Sequence, residues 1–187
     1  MPAKPDFRAV FRFLNASGIR YVIVGGVAAG VVGEPRATID VDLVTFLPQE
    51  ELDLFLGFLR KRRTRFSERE IRKHVRGNAF FRMTVAGTQV DFIVGESAFE
   101  FDVLTRAVKV WMFGVRIPVA SPEDVLLMKL VSGRTIDWLD AKAIQVRQGT
   151  KLDGSYLKSW AARLRVQRGR GRVSSRLKKL YRMRYRE

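Results

Sequence analysis

Tyr21-Val22-Ile23-Val24-Gly25-Gly26 and, after thirteen further residues, Asp40-Val41-Asp42-Leu43 decide the fold. The first stretch is a short apolar run that stops on two glycines, which reads as a buried strand entering a turn or helix. The small residues Val27 to Val32 continue it as a tightly packed helix, and Gly33-Glu34-Pro35 breaks that helix. Ile39 to Phe46 alternates as a strand, with Ile39, Val41 and Leu43 on one side and Asp40 and Asp42 on the other. Residues two apart in a strand face the same way, roughly 6.5–7 Å from each other along the backbone. Each acid sits in an otherwise apolar strand, where an unpaired charge is costly. A magnesium ion would offset that cost; a simply solvated face would also do so. Glycine lets a phosphate approach the backbone, and a helix N-terminus offers it free N–H groups. A third acid, Asp91, lies in the strand-like run Thr88 to Val94. If that strand lies beside Asp40 and Asp42, three carboxylates meet. With substrate phosphates they can hold two divalent ions about 3.5–4 Å apart.

Outward from these stretches the pattern is mixed. Residues 5–17 read as an amphipathic helix ended by Gly18, with Phe7, Val10, Phe11 and Leu14 on one face. Pro48 opens another helix that runs to Arg60–Arg63, with acids in its first turn and bases in its last, as the helix dipole favours. Thr64 to Asn78 is basic and irregular, and reads as a loop. Phe80 to Val85 and Thr88 to Val94 form a hairpin about Ala86-Gly87, and a second hairpin turns at Gly114. Ser121-Pro122-Glu123-Asp124 starts a helix that stops at Gly133. Further helices follow over 136–146, near 156–164, and at the end of the chain. The fold class expected is therefore α+β: a mixed β-sheet flanked by helices, with a helical, basic C-terminal extension. The domain boundary expected lies between 1–146 and 147–187.

The chain has 187 residues, an apolar share of 47% and a net charge of +16. That suits a globular core and excludes wholesale disorder. There is no cysteine and only one histidine, His74. Disulfide scaffolds, thiol nucleophiles, cysteine zinc sites and multi-histidine sites are excluded. No apolar run approaches the ~18 residues of a membrane span, and the start of the chain lacks a secretory layout, so a cytoplasmic protein is expected. The charge is unevenly placed. Lys158 to Glu187 carries net +11 and Arg60 to Arg76 net +7, which leaves −2 for the rest. Arginine, whose planar fork binds phosphate, dominates both patches.

Val24-Gly25-Gly26, the thirteen-residue gap, Asp40-Val41-Asp42 and the later strand acid Asp91 together resemble the nucleotidyltransferase superfamily signature. The text Arg36-Ala37-Thr38-Ile39-Asp40-Val41-Asp42-Leu43, and the later Lys129-Leu130-Val131-Ser132-Gly133-Arg134 followed by Asp137 and Asp140, are similar to minimal bacterial nucleotidyltransferases of abortive-infection, type IV toxin–antitoxin systems. The likeness covers roughly residues 5–146. It departs at Gly26, where close toxin relatives often carry Ser, and in the tail.

The resemblance implies transfer of a nucleoside monophosphate from an NTP to a hydroxyl. Asp40, Asp42 and Asp91 would be catalytic and would hold magnesium as a two-ion site, with Mn2+ as a substitute. Gly25, Gly26, Arg36, Thr38 and Lys129 would bind the nucleotide. Arg36 also reads as a surface arginine. Lys129 interrupts an apolar helical run, where a lysine normally snorkels, and reads as a contact to the triphosphate or to a site carboxylate. Arg134, Asp137 and Asp140 read equally as an ion-pair set holding helices together.

In the tail, Val173, Leu177, Leu180 and Tyr181 share a helical face, and bases load the remainder. RNA, a membrane surface and an acidic partner all fit that pattern. RNA leads, because a nucleotidyltransferase needs an acceptor, and tRNA is the expected one. The nucleic-acid contacts expected are Arg62, Arg63, Arg168, Arg170, Arg172, Arg176, Lys178, Lys179 and Arg182. The remaining partner expected is an antitoxin protein. A catalytically silent nucleic-acid-binding module and a protein-modifying enzyme are the rival functions.

Overall fold

The computed structural model describes residues 5–77, 80–167 and 171–184. These group into two compact units, residues 1–27 with 37–120, and residues 28–36 with 121–187. Residues 121–146 group with the tail in the second unit.

The first unit is built on a six-stranded mixed sheet. Its strands are β1 (Tyr21–Val24), β2 (Asp40–Thr45), β3 (Phe80–Val85), β4 (Thr88–Val94), β5 (Val108–Met112) and β6 (Val115–Val119), in the spatial order β3-β4-β2-β1-β6-β5. β2 runs antiparallel to β1 but parallel to β4, and both hairpins expected from the sequence form. β1 is apolar throughout and buried throughout, as a central strand must be.

Strands β2, β3 and β4 alternate. Val41, Leu43, Val90, Phe92, Phe81 and Met83 face the core. Helix α1 (Phe7–Ala16) is capped by Asp6 and buries Val10, Phe11, Phe13 and Leu14. Helix α3 (Gln49–Lys61) buries Leu52, Phe55, Leu56 and Leu59. Ring contacts join the layers: Phe13 meets Phe58 edge-on at 5.1 Å, Phe55 lies 5.8 Å from Phe92, and Phe92 stacks on Phe81 at 4.7 Å.

Two helices appear where the sequence pattern gave none. α4 (Glu68–Arg76) occupies the basic stretch expected to be a loop. Its apolar side is a single buried residue, Ile71, so the usual periodic signal is missing. A Ser67 cap and ion pairs from Arg72 to Asp53 and Glu68 hold it instead. α5 (Ala98–Thr105) is short, but Ser97 and Glu100 form a reciprocal capping box, and Phe99 and Val103 are buried.

Helix α2 (Gly25–Val32) begins in the first unit and ends in the second. The second unit adds α6 (Pro122–Ser132), α7 (Thr135–Gln148), a 3-10 turn at Gly149–Lys151, α8 (Gly154–Arg163) and α9 (Val173–Arg184). Val173, Leu177 and Leu180 of α9 are buried, as the tail's periodicity implied. Arg176 donates to the carbonyls of Leu130 (Nη1–O 2.6 Å) and Val131 (3.1 Å), which caps the C-terminal end of α6. Among the described residues no helix is long and apolar enough to cross a membrane.

Candidate active site

The site begins with a glycine whose neighbour leaves no room for a side chain. Gly25, first residue of α2, has φ +63. A Cβ there would sit 1.9 Å from Asp42 Oδ2 and 2.7 Å from Asp42 Cβ. The Asp42 carboxylate therefore lies directly on the backbone that starts the helix. Antiparallel pairing of Val24 with Asp42 produces this approach.

Strand register supplies the remainder. Asp40 and Asp42 share one face of β2, and Asp42 pairs laterally with Asp91, which pairs with Arg82 on β3. Asp42, Asp91 and Arg82 thus form a row across three strands, each about 4.8 Å from the next. The next row is Asp40, Gln89 and Thr84. The three aspartates are half-buried, while Arg82, Gln89 and Thr84 are exposed. Thr38 Oγ1 donates to Asp40 Oδ1 at 2.8 Å and orients that carboxylate.

One expectation needs correction here. The three carboxylates share a face but are not gathered on a common point. Asp91 is spread over the Arg82 guanidinium, Oδ1 to Nε at 2.6 Å and Oδ2 to Nη2 at 2.7 Å. Among the described residues no three His, Asp or Glu side chains cluster tightly enough to hold a metal. Arg82, which the sequence reading did not single out, is raised in pKa by its bonds to Asp91 first, and also by the charges of Asp40 and Asp42. It supplies positive charge to the whole carboxylate set. The donor set still suits a divalent cation in kind: hard oxygens at i and i+2, a third one strand away, and no Cβ over Asp42.

The second unit carries its own ion cluster. Lys129, buried at 5% exposure, reaches Asp137 Oδ1 at 3.1 Å and Asp140 Oδ2 at 2.7 Å. Arg36 binds Asp140 with both Nε (2.8 Å) and Nη2 (3.1 Å), and Arg134 binds Asp137. Burial pushes the Asp137 carboxyl up. Bonds from Arg134 and Ser132 and the charge of Lys129 outweigh that and hold it far below the usual carboxylate range. Asp140 is lowered likewise, burial being outweighed by Arg36 and Lys129. The geometry thus gives Lys129 and Arg36 acidic partners within one unit, the arrangement of an ion-pair set.

Of the residues expected to meet nucleic acid, Arg62, Arg63, Arg172, Lys178, Lys179 and Arg182 are exposed, and Arg176 is half-buried against α6. Arg168 and Arg170 lie outside the described residues.

A family model matches residues 8–171: nucleotidyl transferase AbiEii toxin, type IV toxin–antitoxin system. The chain belongs to this family. It is a nucleotidyltransferase, and the AbiEii family implies an NTP substrate and an antitoxin partner. Among solved structures, the antibiotic-resistance factor ANT(2″)-Ia is 12% identical, with 96% of this chain and 93% of that one covered and a TM-score of 0.53. It shares the fold. A protein described as a nucleotidyltransferase from Thermotoga maritima is 18% identical over 62% of this chain and 74% of its own, with a TM-score of 0.42. An antigenic nucleotidyltransferase-like protein from Paracoccidioides brasiliensis is 19% identical over 72% and 70%, with a TM-score of 0.45. No curated protein matches the chain.

Proposed function

We propose that this AbiEii-family chain transfers a nucleoside monophosphate from an NTP to a hydroxyl of RNA, with tRNA as the foremost acceptor. The observation that carries this is the Asp42 carboxylate seated on Gly25 at the start of α2, with Asp40 beside it and Asp91 on the adjoining strand. That arrangement sets anionic ligands next to free helix N–H groups, as a metal-bound triphosphate requires.

Asp40, Asp42 and Asp91 would hold magnesium, or manganese in its place, as a two-ion site. The bound ions would supply charge neutralisation at the triphosphate and acidify the attacking hydroxyl. The Gly25 and Gly26 backbone would bind triphosphate oxygens, and Thr38 would keep Asp40 oriented. The acceptor oxygen forms a bond to the α-phosphorus, the bond to the β-phosphate bridging oxygen breaks, and pyrophosphate leaves. Asp91 takes the hydroxyl proton, once released from Arg82. Lys129 acts by holding Asp137 and Asp140 in place. The basic face of α9 would contact RNA.

The test incubates the protein with magnesium, each labelled NTP in turn, and either total RNA or protein extract. Label on RNA that vanishes in Asp40→Asn/Asp42→Asn supports the proposal. Label on protein alone overturns the RNA acceptor. No transfer with RNA binding intact means a silent binding module.

A further inference from the structure

The mid-chain basic patch divides in two when its partners are traced. Arg60 and Arg72 are spent on acids, pairing with Glu68 and Asp53. Arg62 and Arg65 are not. They converge with Arg8 and Arg12, one helical turn apart on α1, around a concavity of about 700 Å3 that Thr84 also lines. All four arginines are exposed, and among the described residues none is ion-paired. Arg62 is steadied by the Phe58 ring beneath it, at 5.2 Å. The one acid in the lining, Asp6, already caps α1 by accepting from the Ala9 N–H. Like charges one turn apart on a helix repel. Four unneutralised forks around one hollow therefore need anions from outside the chain.

A second concavity, about 750 Å3, adjoins the first and shares Arg65 and Thr84 with it. It continues along β3, the edge strand, past His74 to Arg82. Thr84 stands in one register row with Gln89 and Asp40. Two strand spacings separate Thr84 from Asp40, about 10 Å. Glu70 also lines this second concavity, 3.9 Å from His74, and Arg82 is held by Asp91, so the unpaired positive charge is gathered at the Arg65 end. The arginine hollow is thus the cationic end of a track whose other end is the carboxylate row. Phe80, 58% exposed and on the same face as Arg82, offers a ring on which a base can stack.

We infer that this track seats the single-stranded end of an RNA, with phosphates on Arg8, Arg12, Arg62 and Arg65 and its terminus directed toward Asp40 and Asp42. This deepens the proposed function and rests on its RNA acceptor. A cationic groove with an aromatic stacking face is the usual platform for single strands. Each arginine that meets a phosphate contributes about 0.7 to the slope of log affinity against log salt.

The experiment titrates a fluorescent twelve-nucleotide single-stranded RNA by anisotropy between 50 and 200 mM salt. It compares wild type, the quadruple variant Arg8→Gln/Arg12→Gln/Arg62→Gln/Arg65→Gln, and Lys178→Gln/Lys179→Gln on α9. The quadruple variant should bind at least tenfold more weakly at 50 mM, with a slope smaller by about 3. If it melts early, the Arg8/Arg12 and Arg62/Arg65 pairs made separately should each lower the slope by about 1.4. Wild type that binds RNA, with the quadruple variant matching it in affinity and slope, overturns the track and leaves the RNA acceptor standing. Wild type that binds no RNA overturns both. Displacement of the RNA by duplex or by polyglutamate at equal charge overturns the single-strand assignment.

Discussion

Gly25→Ala tests the packing at the centre of the site, and Gly18→Ala gives its control. Both glycines have positive φ, +63 and +75. An L side chain in that region costs about 1–2 kcal/mol. At Gly18 nothing lies within 4 Å of the added Cβ, so the backbone cost is the whole effect. At Gly25 the Cβ meets Asp42 Oδ2 at 1.9 Å and the Asp42 Cβ at 2.7 Å. The oxygen can swing away; the Cβ is fixed to the β2 backbone. Overpacking of that kind adds about 1–3 kcal/mol. The expected loss is therefore about 1–2 kcal/mol for Gly18→Ala and about 2–5 kcal/mol for Gly25→Ala. At this chain length 1 kcal/mol lowers Tm by about 2–4 °C, so Gly25→Ala should fall by about 4–20 °C. Asp42→Gly removes the obstruction, and Gly25→Ala in that background should cost no more than Gly18→Ala. Thermal melts of wild type, the three single variants and the double variant give the answer. Equal losses for Gly25→Ala and Gly18→Ala in the wild-type background would refute the close approach.

The ion cluster of the second unit makes further predictions. Lys129→Met leaves two buried carboxylates without their shared cation and should cost about 3–5 kcal/mol in a urea melt. Asp137 and Asp140 have folded pKa values below their unfolded ones, so their stabilisation is complete above the unfolded value near 3.9 and is lost as pH falls. Urea midpoints should drop progressively below about pH 5, and Asp137→Asn should be less stable at pH 7 with a flatter acid limb. Leu180→Ala, on the buried face of α9, should cost about 2–5 kcal/mol, whereas Lys178→Gln should leave Tm unchanged. Substituting Asp40 by Asn should abolish nucleotide transfer with the far-UV spectrum intact.

The strand carrying Asp40 and Asp42 was legible because period-2 alternation sets its two acids apart from its apolar face. The glycine pair was legible as a turn into a helix. What the sequence withheld was lateral: no local pattern tells that Asp91 pairs with Arg82, because strand register is fixed by partners elsewhere in the chain. α4 was hidden for a related reason. Its stability comes from ion pairs to α3 and one buried isoleucine, not from a stripe of apolar residues. Lys129 stood out as a lysine in an apolar run, and its partners Asp137 and Asp140 were in view, but only the folded helices show all three buried together.

Residues 28–36 separate from the rest of the first 120 and pack with 121–187. The carbonyls of Val32 and Gly33 are bonded by Gln148 and Arg147, more than a hundred residues downstream. At about 5–20 residues per second of synthesis, that segment waits roughly 6–23 s for its partners to emerge. The C-terminal end of helix α2 therefore lacks these bonds until residues 147 and 148 have emerged. A nascent chain that stops short of residue 147 is expected to lack this support for the segment that continues from α2.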